Sequence, residues 1–158
     1  MAEENQTKLR DLIKDAHVGL LTTIDAGGSI VSRPMALQTV EFDGDLWFFT
    51  SANSNKVAEI NAEPAVNVAF QSKDAWVSVS GTAAIVTDKS KAEELWNPVV
   101  KAYFPDGLED PELRLIRVDA SSAEYWDSDN KLVSLFKMAK AVASHDTPDL
   151  GDNKTVQL

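Results

Sequence analysis

A chain of 158 residues, 44% hydrophobic and 25% charged, has the size and balance of one globular domain with a real core. Its formal charge of −10 argues against broad contact with nucleic acid or an anionic membrane, and no apolar run approaches the ~18 residues that span a bilayer. The absence of cysteine excludes disulfides, thiolate catalysis and Cys-ligated metals.

The start, MAEENQTKLRDLI, is acidic and helix-like and lacks the basic head and apolar centre of a secretory signal, so the cytoplasm is the expected compartment. Residues 3–16 read as a helix with Leu9, Leu12 and Ile13 on one face. HVGLLTTI (17–24) follows as a strand, and DAGG (25–28) is a turn. Residues 29–42 are long and extended, and Pro34, which cannot donate to a ladder, marks an edge or a bulge. The dipeptide Asp43–Gly44 is the strongest short hairpin signal and returns the chain through DLWFFT (45–50).

A short helix fits 54–62, with Asn53 or Ser54 as N-cap and Pro64 beyond its end. Strands are expected at 65–70 and 75–86, and a helix at 88–96 in which SKAE (90–93) forms a capping box. Residues 97–111 carry three prolines and a glycine and read as irregular connection. The last strand, 112–126, is expected to be bulged, since its apolar register changes near Leu115–Ile116. Residues 131–143 have helical periodicity, and the rest is polar and expected to fray. Hairpins dominate, so the fold class is mainly β with peripheral helices, an antiparallel barrel rather than a doubly wound sheet. Residues 1–145 form one domain, and 146–158 a polar C-terminal tail.

Between Lys14 and Lys73 the only Lys or Arg residues are Arg33 and Lys56. Folding the chain at Asp43–Gly44 brings Arg33 towards the level of Ser54, beside Lys56 in the first turn of the next helix. Arg33, Lys56 and the Thr50, Ser51 and Ser54 hydroxyls then converge with the free amides of a helix N-terminus, a set suited to a phosphate dianion. The same residues also fit a plain capped helix start on a solvated surface, and both readings stand at this point. His17 and His145, the only histidines, have no metal-ligand companions nearby.

RPMALQ (33–38), WFFTSANSNK (47–56), WVSVSG (76–81) and AEYW (123–126), in this order, resemble the pyridoxamine 5′-phosphate oxidase-like superfamily of flavin-binding split barrels, and within it the general stress protein 26-like branch. The resemblance implies an antiparallel split β-barrel, homodimeric, with FMN (FAD possible) at the subunit interface. Arg33 and Lys56 match the phosphate ligands, assisted by Thr50 and Ser54. The resemblance places Pro34, Met35 and Ala36 along the isoalloxazine edge, and Phe49 and Thr50 beside the ring. Gln38 stands where the oxidases usually carry lysine, and Trp76 where they usually carry a glutamine from the other subunit. Trp126 matches a tryptophan that approaches flavin from the partner chain.

In the oxidases that tryptophan is followed by an Arg-x-His segment that works on the substrate. Here it is followed by DSDNKLVSLF, so oxidation of pyridoxamine phosphate is not expected. The expected function is an FMN-dependent oxidoreductase acting on an unidentified small substrate, with the electron donor and the catalytic residues left open. The alternative is a non-catalytic flavin-binding stress-response protein, a store or sensor. Haem or a deazaflavin in the same barrel is a third option, haem the weaker, since neither histidine lies in the expected cleft.

Overall fold

The computed structural model describes residues 2–38, 42–72, 74–127, 131–145 and 152–158. The chain runs α1 (Ala2–Asp15), β1 (Val18–Ile24), β2 (Ile30–Ala36), β3 (Asp45–Ser51), α2 (Asn55–Ala62), β4 (Ala65–Ser72), β5 (Ala75–Val86), α3 (Lys89–Leu95), α4 (Pro98–Tyr103), β6 (Leu113–Asp127), α5 (Lys131–Ser144) and β7 (Asp152–Gln157), with a 3-10 turn at Gly107–Glu109. Among the described residues every ladder is antiparallel. The sheet order is β2-β1-β4-β5-β6-β3, with β7 also on β6, and the sheet curls into the half-barrel of a split-barrel fold.

Alternation builds the core. Leu46, Phe48, Val66, Val68, Phe70, Val77 and Val79 point inward and are buried, and α1 lays Leu9 and Ile13 onto them. Each such side chain contributes roughly 1.5–3 kcal/mol through its burial. A smaller cluster of Ala92, Leu95 and Leu115 lies under α3, with Trp47 and Phe49 packed against it from the outer face of β3. No helix among the described residues is long and apolar enough to cross a membrane.

The tight hairpin is β1–β2. The Asp25 carboxylate accepts from Gly27 N–H at 2.9 Å and Ser29 N–H at 2.8 Å, while Gly28 takes a φ of 82°. The hairpin expected at Asp43–Gly44 does not form as a ladder. β2 pairs with β1 from Val18–Ala36 to Ile24–Ile30, and β3 pairs with β6. Gly44 does turn the chain, at φ 113°, but a turn signal does not specify which strand the returning segment will join. β2 and β3 are therefore the two ends of the sheet order, brought together by a bond from Gln38 N–H to the Trp47 carbonyl at 3.0 Å. Pro34 sits in β2 with an unbroken register, so it marks an edge and not a bulge.

Four further expectations change. The bulge in β6 lies not at Leu115–Ile116 but opposite Ser80–Gly81, where Ser121 has no partner in register. Leu115 and Ile116 are both buried because the strand is covered on both faces, Ile116 by the barrel core and Leu115 by α3. Asp88 caps α3, accepting from Lys91 N–H, so Ser90 is inside the helix and makes no capping box. Residues 97–111 hold a helix: Asn97 caps it by accepting from Val99 and Val100 N–H, and Pro98 takes the first turn. Part of the tail is also ordered. β7 pairs with residues 122–127 of β6 and buries Val156 in the main core; residues 146–151 lie outside the described residues.

Candidate functional site

The open seam between β2 and β3 borders a cavity of about 540 Å³, within the size range of small-molecule sites. One wall is Pro34, Met35, Ala36 and Gln38; the opposite wall is Phe49, Thr50 and Ser51. Ser54 and Lys56 close one end, and Val100, Tyr103 and Phe104 of the α4 region, with Asp110 and Glu112, close the other side. Nine of the residues singled out from the sequence thus line one space: Pro34, Met35, Ala36, Gln38, Phe49, Thr50, Ser51, Ser54 and Lys56.

Thr50 continues the inward row Leu46–Phe48 but substitutes a hydroxyl for a hydrocarbon. It is 4% exposed, and its Oγ1 has no hydrogen-bond partner. An unmet buried hydroxyl costs about 1–3 kcal/mol. Downstream, Ser54 N–H donates to the Ser51 carbonyl at 3.0 Å, and Ser54 leads into α2 with an extended backbone. The Ser54 hydroxyl makes no cap; it accepts from Lys56 Nζ at 2.6 Å. Burial pushes the Lys56 pKa down, the Arg33 charge adds to that, and Glu59 opposes both.

Arg33 reaches this corner by a route different from the one expected. It stands opposite Leu21 in the β1–β2 hairpin, and its guanidinium donates to Leu21 O, to Thr23 Oγ1 and to Glu59 Oε2. Arg33 does not line the cavity, although Pro34 beside it does. The two cations approach across β1 and α2, not across the Asp43–Gly44 turn. Glu59 lies between them electrically: it pairs with Arg33 at 2.9 Å and sits one helical turn after Lys56.

Trp76 and Trp126 do not line this cavity. They are direct cross-strand neighbours on β5 and β6, 46% and 39% exposed. Gln71 on β4 pairs with Trp76, and Asn153 on β7 with Trp126, so the four form one row across the outer face of the sheet. Val18 and Leu20 are exposed on β1, the strand beyond β4. The α4 wall and Glu59 were not singled out from the sequence. Asn97–Pro98, a cap residue followed by proline, is a helix-start signal that points to α4. Glu59 carries no signal beyond its place three residues after Lys56.

Chemically, the cavity offers apolar walls for a flat body and, at one end, hydroxyls and a partly buried ammonium for an anion. The sequence model of the family described as pyridoxamine 5′-phosphate oxidase like matches residues 4–149. The chain belongs to that family. Protein bli-3 of Neurospora crassa is 37% identical to this chain over 126 residues, covering 72% of this chain and 60% of its own length. This chain therefore spans about 60% of the curated relative it matches. The general stress FMN/FAD binding protein of Xanthomonas citri is 34% identical, covers 82% of this chain and 92% of its own, and superposes with a TM-score of 0.72. A Clostridium acetobutylicum protein related to general stress protein 26 covers 100% of this chain and 97% of its own with a TM-score of 0.73; at 18% identity it speaks to the fold alone.

Proposed function

We propose that this chain binds a flavin, FMN in the first instance, in the seam cavity, and that it serves as a flavin-dependent oxidoreductase for a small substrate. The unpartnered Thr50 hydroxyl carries the reading: a buried oxygen without a hydrogen bond, on the wall of a cavity that also receives Lys56. The donor set fits the group. Lys56, Ser54 and Thr50 suit a phosphate, with Arg33 behind them, while Met35, Phe49, Val100 and Phe104 suit a planar ring system. Support also comes from the flavin-binding relative in Xanthomonas citri.

Bound there, a flavin supplies hydride or electron transfer, which accounts for a site built of binding groups. Lys56, with Arg33 behind it, would hold the phosphate, Gln38 would be part of the wall beside the ring system, and Val100, Tyr103 and Phe104 of the α4 region would keep water out. The exposed Trp76–Trp126 row, with Val18 and Leu20, suits a second copy of the chain, and Pro34 and Ala36 of the cavity wall occupy outward positions of β2 on the same side of the sheet. A homodimer would cover the cavity from that side and bring Trp126 towards the partner's flavin.

Pyridoxamine phosphate is not the substrate in this reading. Trp126 is followed by Asp127, paired with Lys8, and no arginine occurs after Arg117. The same feature favours the second reading, a flavin store or sensor without turnover. The visible absorption spectrum of the purified protein, followed by FMN titration of flavin-stripped protein, tests the flavin site; a colourless protein that takes up no FMN overturns it. Anaerobic mixing with NADH or NADPH separates the two readings, since only a reductase bleaches its flavin.

A further inference from the structure

An arginine has five N–H donors. In Arg33, Nη1 gives its two to the Leu21 carbonyl at 3.3 Å and to Thr23 Oγ1 at 2.6 Å, and Nη2 gives one to Glu59 Oε2 at 2.9 Å. The Thr23 hydroxyl donates in turn to the same Glu59 oxygen at 2.6 Å. Since Thr23 Oγ1 and Glu59 Oε2 are this close, they take the edge of the guanidinium formed by Nη1 and Nη2. The edge formed by Nε and Nη2 is left, with two parallel donors and no acceptor among the described residues. Such an edge is the fork that grips two oxygens of one anion.

The triangle is built, not incidental. Thr23 is fully buried, the Glu59 side chain is 13% exposed, and that of Arg33 is 24% exposed. Glu59 and Lys56 belong to the same turn of α2, and Lys56 feels the Arg33 charge. Without the acceptor at Glu59 Oε2, the Nη2 donor of Arg33 is unheld and the guanidinium is free to swing into solvent.

We infer that Glu59, working through Thr23, is the positioning residue of the anion end of the cavity: it holds Arg33 as the second cation beside Lys56 and leaves the Nε–Nη2 edge open for the ligand's phosphate. The inference rests on the flavin reading and adds a residue that touches no part of the ligand. Its role is distinct from that of a competitor for Arg33, because a competitor's removal would tighten phosphate binding.

The test is the preference for FMN over riboflavin, which isolates the phosphate contribution, measured by fluorescence titration of flavin-stripped protein. Glu59→Ala is expected to lower that preference about tenfold while riboflavin affinity stays within about twofold. Glu59→Gln, which keeps an acceptor oxygen for Arg33, is expected to restore the preference to within about threefold of wild type. In an Arg33→Ala background Glu59→Ala is expected to cause no further loss of the preference, since the group that Glu59 positions is gone. Should Glu59→Ala fail to fold, the near-isosteric Thr23→Val cuts the second tie to Arg33 and is expected to lower the same preference. Equal weakening of both flavins, tighter FMN binding, or a Gln variant as impaired as Ala overturns the inference while leaving the flavin site in place. A wild type that binds neither flavin removes the flavin reading, and the inference with it.

Discussion

Asn97 Nδ2 donates to Gln38 Oε1 at 2.7 Å across fifty-nine residues of sequence, tying the start of α4 to the segment just past β2. The same Asn97 side chain accepts from Val99 and Val100 N–H, so one residue both caps the helix and fastens it over the cavity. Asn97→Ala is expected to cost about 1–2 kcal/mol of stability and lower the melting midpoint by several degrees. Asn97→Asp keeps the capping oxygen and loses the Nδ2 donor to Gln38 Oε1 and to the Leu95 carbonyl. It is expected to melt close to wild type yet bind FMN more weakly, which calorimetry and titration together will show.

Lys56 gives binding a pH dependence whose sign is fixed. Its pKa is held below the ordinary 10.5, first by burial and then by Arg33, so the folded protein binds fewer protons than the unfolded chain between the lowered value and 10.5. Stability from this group therefore rises with pH through that alkaline window. An anion at the site favours the charged ammonium, so FMN binding takes up a proton there. Affinity is expected to fall as pH climbs through the same window, and Lys56→Met should abolish the dependence; a wild-type profile that stays flat through the window below 10.5 would count against a phosphate on Lys56.

Removing Arg33 strands a carboxylate. Arg33→Ala leaves Glu59 with the Thr23 hydroxyl as its partner, and a stability loss of about 2–3 kcal/mol is expected, less than for a wholly buried pair because both side chains retain some solvent contact. Adding Glu59→Gln to that variant removes the stranded charge and is expected to recover about half the loss, as urea unfolding can measure.

Gly81 cannot carry a side chain. A Cβ there would lie 2.1 Å from the Asp119 carbonyl oxygen and 2.9 Å from its carbon, both backbone atoms of the bulged ladder. Gly81→Ala is expected to destabilise by about 3 kcal/mol or to prevent folding, which expression and circular dichroism will report. At Gly19 the nearest atoms belong to the Phe70 and Val68 side chains, so Gly19→Ala should cost less.

The C-terminal strand is structural. Deleting residues 152–158 uncovers the β6 edge along 122–127 and empties the space held by Val156. A loss of about 2–4 kcal/mol and concentration-dependent light scattering are expected, since an unpaired edge invites other chains.

Period-two alternation made most strands legible, because a half-buried sheet face must alternate. What alternation does not carry is the identity of the partner strand. Asp43–Gly44 is a genuine turn, yet β3 leaves it to join β6, sixty-odd residues on, because the burial it gains there is tertiary. β6 misled for a related reason: with α3 on one side and the barrel on the other, neighbouring Leu115 and Ile116 are both apolar, which imitates a register slip. DNKTVQ in β7 is short and polar save for Val156, so nothing local marks it as strand. Most of the cavity lining was readable from RPMALQ and TSANSNK, but the Arg33–Glu59 pair was not, since it exists only once β1, β2 and α2 have met.

The position of Trp126 has one more consequence. Its backbone is held by Trp76 on one flank and Asn153 on the other, so an indole on the outside of the molecule stands on a strand paired along both edges. A ring mounted in that way has little freedom left to surrender when another surface settles on it, and the contact it offers is ready-made.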